Sequence, residues 1–219
     1  MDSTPGAWRA ADDFLTEILV GRDPALEAAL AAQREAGMPE IEVAPVAGKL
    51  LNLLVRMCGA RRVLEIGTLG GYSTIWMARG VGAEGRVVTI EAEAAHAEVA
   101  RRSIDAAGVG ERVDIRVGRG ADVLPTLAGG FDLIFIDADK ESNTVYLDWA
   151  AKLGRPGTVV VVDNIGRDGE IVDADTSDSK VIGTREGLRM LGDDPRFDAT
   201  ALQTVGVKGW DGFALALVV

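Results

Sequence analysis

FDLIFIDADK, residues 131–140, and VVVVDN, residues 159–164, are apolar runs that each stop on oxygen-bearing side chains. Neither run alternates apolar with polar residues. Continuous apolar stretches of this length, bounded by polar residues, read as strands buried on both faces, the pattern of a parallel sheet. One such strand ends in Asp137 and the next in Asp163 and Asn164. If the two are neighbours, two carboxylates and one amide meet at one rim of the sheet. In open α/β sheets that rim, beyond the carboxyl ends of the strands, is where ligands bind.

The pattern extends in both directions. RRVLEIG, GRVVTIE and RVDIRVG precede the two runs, and DATALQTV and GFALALVV follow them. The helical stretches YSTIWMARGV, EAAHAEVARRSIDAAG and ADVLPTLAG lie between the early strands. This alternation predicts an α/β fold, doubly wound, with a mostly parallel seven-stranded sheet. No long helix separates the last two strands. The turn-like GVKGWD between them predicts an antiparallel C-terminal hairpin at the sheet edge. Residues 8–58 read as helical: Asp23-Pro24 is a helix start, Gly37 a stop, and MPEIEVAP an ordered loop. Residues 1–219 therefore read as a single domain, with a helical N-terminal cap over 1–58 and an α/β core over 61–219.

Composition narrows the function. With 219 residues, 47% of them hydrophobic, the chain can bury a sizeable core. A net charge of −11 disfavours nucleic acid as a partner. The single cysteine, Cys58, excludes an internal disulfide and a zinc–cysteine cluster; set in LLNLLVRMCG, it reads as a small buried hydrophobe. No run reaches the ~18 apolar residues of a membrane span. The N-terminal MDSTPGAWRAADDF lacks the basic start and apolar centre of a signal peptide. The expectation is a soluble cytoplasmic protein with no membrane partner.

The strand ends carry the chemistry. VLEIGTLGGYST, residues 63–74, is a strand followed by a glycine-rich turn, with Ser73 placed to open a helix. Gly67, Gly70 and Gly71 match neither the G-x-G-x-x-G dinucleotide pattern nor a P-loop. Glu91 ends the next strand about 20 residues on, where α/β folds place an acid that accepts hydrogen bonds from ribose hydroxyls. The set Asp137, Asp163 and Asn164 suits a hard cation such as magnesium. Lys140 lies one helical turn beyond Asp137, on the same side, and can serve as a proton acceptor. His96, the only histidine, is expected away from the strand ends, and Arg101-Arg102 on a solvated helix face.

Taken together and in this order, EIGTLGGYST, FIDADK and VVDN resemble the cation-dependent, S-adenosylmethionine-dependent O-methyltransferases of the catechol and caffeoyl-coenzyme A type. The resemblance covers residues 38 to 219. It implies a class I methyltransferase, Rossmann-like fold, with S-adenosylmethionine and Mg2+ or another divalent cation as cofactors. It also implies a small aromatic vicinal diol as acceptor, and a homodimer. By the same resemblance Glu65, Gly67, Thr68 and Ser73 form the methyl-donor loop and Glu91 holds the ribose. Val43 contacts the donor, and Gly118 and Ala121 lie around the adenine. Asp137, Asp163 and Asn164 ligate the metal. Lys140 is the general base, with Asp137 as the other catalytic proton acceptor.

The chain departs from that family on the acceptor side. DNIGRDGEI lacks the tryptophan that relatives carry after the metal pair. Asn143 stands where many have a tyrosine, although Tyr146 keeps the second one. GVKGWDG replaces a shorter GDG-like turn, so Trp210 either stands in for a lost aromatic wall or packs within the edge hairpin. Three other readings stay open: a non-catalytic S-adenosylmethionine-binding protein, a nicotinamide-dependent oxidoreductase, which the broken glycine pattern disfavours, and a nucleic-acid methyltransferase, which the acidic balance disfavours.

Overall fold

The computed structural model describes residues 4–219. The chain forms two compact units, one holding Leu15–Thr126, the other joining the residues up to Phe14 with Leu127–Val219. The expected helical cap is thus shared out: the first helix, α1 (Pro5–Leu15), groups almost entirely with the C-terminal half.

In the Leu15–Thr126 unit a π-helical turn, Thr16–Val20, leads to α2 (Pro24–Glu35) and α3 (Pro45–Met57). Then come β1 (Arg62–Ile66), α4 (Tyr72–Gly80), β2 (Arg86–Glu91), α5 (Ala94–Ala106), β3 (Val113–Val117) and the single turn α6 (Gly120–Val123). β1 pairs with β2 and β2 with β3, both parallel. Val63 to Ile66 of β1 are all buried, as continuous apolar runs require when helices cover both faces.

In the other unit β4 (Leu133–Ile136), α7 (Asn143–Leu153), β5 (Val159–Asp163), α8 (Ser179–Asp193), β6 (Phe197–Gly206) and β7 (Gly209–Val218) follow. β4 and β5 are parallel, while β7 runs antiparallel to both β5 and β6. Along β7 burial alternates, with Gly212, Ala214, Ala216 and Val218 inward, the period of a strand covered on one face. The strand order is β3-β2-β1-β4-β5-β7-β6 in a seven-stranded sheet. This is the doubly wound sheet with a terminal antiparallel hairpin that the sequence pattern predicts.

Two expectations need correction. The hairpin turn is shorter than GVKGWD: the strands extend to Gly206 and resume at Gly209, leaving Val207-Lys208 as the turn and putting Trp210 inside β7. The Asp12 carboxylate of α1 accepts from Val207 N at 2.8 Å and steadies that turn. Cys58 is exposed, not buried. It follows the last residue of α3, one turn beyond Val55, the last buried position of that helix. An apolar neighbourhood in sequence does not bury a residue at a helix end.

The start of α2 carries a stability prediction. Asp23 accepts from Ala25 N and Leu26 N, both at 3.1 Å, and Pro24 occupies the first helical position. Arg79 of α4 grips the same carboxylate at 2.6 and 3.3 Å. This guanidinium, helped by the helix amides, holds the Asp23 carboxyl below its usual range. A lowered folded-state pKa means that the stabilisation is present above the unfolded value and is lost as pH falls through the folded one. Asp23→Ala is expected to cost about 1–2 kcal/mol near neutral pH, a loss that shrinks in acid. Urea denaturation at neutral and acidic pH reads both values; a pH-independent loss would contradict the ionic part.

Candidate functional site

The candidate donor residues all belong to the Leu15–Thr126 unit. Gly67 (φ 102°), Leu69 (φ 50°) and Gly71 (φ 86°) turn the chain from β1 into α4 through left-handed backbone, which glycine adopts without strain. Gly71 is the N-cap, so α4 begins at Tyr72, with Ser73 in its first turn. Glu65 is fully buried. Its carboxylate accepts from Ser73 Oγ at 2.5 Å, from Thr89 Oγ1 at 2.6 Å and from the Thr74 hydroxyl. Thr68 Oγ1 lies 2.6 Å from Thr89 Oγ1 and extends the chain of hydroxyls. Three hydroxyl donors satisfy a carboxylate that burial would otherwise penalise heavily. Glu65 therefore ties the end of β1 to α4 and β2, and so shapes the loop.

Glu91 sits at the end of β2, as the sequence places it. Its Oε2 accepts from Thr68 N at 3.2 Å and Leu69 N at 2.7 Å, and its Oε1 from Glu93 N at 3.0 Å. The acid thus clasps the turn after β1. Gly118 (φ 147°) donates its N–H to Glu91 O at 2.8 Å, and Ala121 follows in α6. Val43 is buried in the loop before α3.

Sequence reasoning missed two side chains here. His96 was expected away from the strand ends, yet its Nδ1 lies 3.7 Å from Glu91 Oε1. It occupies the first turn of α5, which starts three residues after β2 ends. The other is buried Gln33 of α2, whose Nε2 donates to Pro39 O and Glu42 Oε2, both at 2.8 Å. It braces the loop that carries Val43. Its Oε1 finds no partner among the described residues and lies where a Cβ on Gly70 would come within 2.6 Å. Nothing local marked Gln33, whose partners lie six to nine residues further on.

The acceptor-side residues belong to the other unit. The β4–β5 register pairs Ile136 with Val162, so Asp137 and Asp163 leave adjacent parallel strands side by side. Lys140, 5% exposed, stands in the turn Lys140–Ser142 with Nζ 3.0 Å from Asp137 Oδ1. It is no solvated surface lysine. Asp139 accepts from the hydroxyls of Ser142 and Tyr146 and pins the same turn. Burial and the neighbouring Asp137 carboxylate push the Asp163 carboxyl up to about 7. Asn164 follows in left-handed backbone (φ 60°), which asparagine tolerates.

Two crowded carboxylates and an amide oxygen fit a hard divalent cation, whose charge would relieve their repulsion. Among the described residues no group of three His, Cys, Asp or Glu forms a metal cluster, so Asn164 is needed to complete the set.

Asp211 was also missed. From β7 its Oδ2 accepts from Asn164 Nδ2 at 3.2 Å, and its Oδ1 from Gly166 N at 2.8 Å and Arg167 N at 3.3 Å. Trp210 is 41% exposed and donates from Nε1 to Gln203 Oε1 at 2.9 Å. Its ring also lies against Gly169, where a Cβ would come within 2.7 Å. It thus packs on the turn Arg167–Val172. Asn143 is buried in α7, and its Oδ1 has no partner among the described residues.

A parallel sheet with this strand order, closed by an antiparallel hairpin and carrying a glycine turn after β1 and an acid ending β2, defines a class I methyltransferase. Comparison with known proteins agrees. The O-methyltransferase family model matches residues 21–218. A catechol O-methyltransferase of Mycobacterium tuberculosis is 59% identical over 208 residues, 94% of each chain. One from Niastella koreensis is 48% identical, over 96% of this chain and 97% of its own. The crystal structure of an O-methyltransferase from Bacillus cereus in complex with SAH is 47% identical and has a TM-score of 0.97, over 99% of this chain and 100% of that one. The chain belongs to the O-methyltransferase family.

Proposed function

We propose that the protein transfers a methyl group from S-adenosylmethionine to one hydroxyl of a catechol-like aromatic, with a divalent cation such as Mg2+ as cofactor. The observation that carries this reading is the side-by-side exit of Asp137 and Asp163 from β4 and β5, with Lys140 Nζ 3.0 Å from Asp137. The catechol O-methyltransferases at 59% and 48% identity, and the SAH complex at 47%, support the acceptor and donor classes.

Asp137, Asp163 and Asn164 would hold the cation, which when bound supplies Lewis-acid polarisation of both hydroxyls of a vicinal diol. The chain does the rest. Lys140 Nζ takes the proton of the reacting hydroxyl, with Asp137 keeping the ammonium in place. The phenolate oxygen then forms its bond to the methyl carbon as the carbon–sulfur bond breaks in line. The electron pair goes to sulfur, the sulfonium becomes a neutral thioether, and the products are the aryl methyl ether and S-adenosylhomocysteine. Val43, Gly67, Thr68, Ser73, Glu91, Gly118 and Ala121 hold the donor, with Glu65 fixing the shape of its loop. Orientation of the donor and the diol supplies much of the rate.

The test is methyl transfer to vicinal-diol aromatics and matched monophenols, with Mg2+ and with EDTA. The expected result is turnover of diols alone, lost in EDTA. Equal turnover of monophenols, or undiminished activity in EDTA, would overturn the reading. The reading also takes the enzyme as a homodimer, as the family resemblance suggests; a monomer's mass in light scattering would overturn the dimer.

A further inference from the structure

We propose that Asp211 is a positioning residue of the cation site: it fixes the carboxamide of Asn164 so that the amide oxygen, and not the nitrogen, faces the cation. The inference rests on the cation reading above.

A carboxamide has one face that donates and one that accepts, and only its oxygen can ligate a hard cation. A free asparagine would present either. Here the choice is made from β7. Asp211 Oδ2 is a pure acceptor, so the group it meets at 3.2 Å is the Asn164 NH2. With the nitrogen committed there, the oxygen points the other way. The second carboxylate oxygen of Asp211 accepts from Gly166 N at 2.8 Å and Arg167 N at 3.3 Å. Those bonds hold a turn in which Asn164, Arg167 and Asp168 all adopt positive φ, a conformation that survives only when its surroundings enforce it. Gly166 lies so close to β7 that a Cβ there would come within 2.7 Å of the Asp211 carbonyl. One carboxylate therefore holds both the backbone that follows Asn164 and the orientation of its amide. Partners that orient ligating side chains are commonly worth about 10–100-fold in metal affinity.

The test is Mn2+ affinity, read from the electron paramagnetic resonance of the free ion, in four proteins. These are the unsubstituted chain, Asp211→Asn, Asn164→Asp, and the double variant. SAH affinity by calorimetry is the control. Asp211→Asn is nearly isosteric but has a single acceptor oxygen, so it cannot keep both sets of bonds. We expect it to weaken Mn2+ binding by about 10–100-fold and to leave SAH affinity within about twofold. In the Asn164→Asp background the ligand is a symmetric carboxylate with no orientation to fix. There the Asp211→Asn change is expected to leave Mn2+ affinity unchanged or to raise it.

An equal loss in both backgrounds would show a general structural or electrostatic role and overturn the proposal, as would no loss in either. If the unsubstituted chain itself binds no Mn2+, the cation reading falls and the proposal with it, a different outcome from normal binding that Asp211→Asn leaves intact. Should Asp211→Asn fail to fold, nuclear magnetic resonance of the unsubstituted protein decides. The Asn164 NH2 protons are expected to be slow to exchange, with the carboxamide carbon shifting on addition of Mg2+. Freely exchanging NH2 protons would overturn the proposal.

Discussion

Asp163→Ala, which removes a proposed cation ligand, is expected to lower kcat/KM by roughly 10³-fold or more at saturating Mg2+, because several kcal/mol of charge stabilisation at the reacting oxygen would go with it. The donor should still bind. Every candidate donor residue, from Val43 to Ala121, lies in the Leu15–Thr126 unit, and Asp163 lies in the other. The hydrogen bond the Asp163 side chain accepts, from Asn164 N, is local and holds no donor residue, so SAH affinity is expected to stay within about twofold. In EDTA the variant should melt no lower than the unsubstituted chain. The side chain removed is a carboxylate that burial and Asp137 already disfavour in its charged form, and its hydrogen bond to Asn164 N is local. With Mg2+ present the order should reverse, because only the unsubstituted chain gains stability from the ion by mass action. Isothermal titration with SAH, melting curves in EDTA and in Mg2+, and initial rates on a diol check the four statements. A variant that keeps Mg2+-dependent stabilisation would show that the cation lies elsewhere. One that loses SAH binding would show that Asp163 supports the fold of the donor loop.

The features legible in sequence are those written into consecutive residues. β4 and β5 announce themselves because burial on both faces demands unbroken apolar runs. The polar residues that follow or end β4 and β5 stand out because nothing else interrupts those runs. The Asp23-Pro24 start of α2 is a local signal and forms as read. What stays hidden depends on register or on distance along the chain. Asp211 meets Asn164, 47 residues away, only because β7 pairs with β5 in the register that sets Asp163 against Phe213. Gln33 is hidden for the same reason: its role comes from a loop six to nine residues on and from its approach to Gly70. His96 was misplaced because only two residues separate β2 from α5, so the first turn of the helix is still at the strand end. Cys58 was misplaced because apolar neighbours say nothing of where a helix stops.

Gly183→Ala should impair catalysis without touching donor, cation ligand or base. Gly183 sits in α8, where alanine would ordinarily stabilise a helix by up to about 1 kcal/mol. Here a Cβ would lie 2.4 Å from the Lys140 carbonyl oxygen and 2.7 Å from Glu141 Cα. Both are main-chain atoms, so the overlap cannot be relieved by turning a side chain; either α8 or the Lys140–Ser142 turn has to move. Overpacking of this kind typically costs about 1–3 kcal/mol, which outweighs the helix propensity. The same turn carries Lys140 and sets its Nζ against Asp137. A shift of about 1 Å in the proposed base is enough to lower kcat by about 10²-fold. SAH affinity should not change. Gly192 is the matched control: it lies in the same helix, and a Cβ there would meet nothing within 4 Å. Gly192→Ala is expected to raise stability slightly and leave kcat alone. Denaturant unfolding and steady-state rates on both variants separate the effects. If Gly183→Ala folds as well as Gly192→Ala and turns over at the unsubstituted rate, then the overlap is absorbed without displacing the Lys140–Ser142 turn, and the expected coupling of Gly183 to catalysis is wrong.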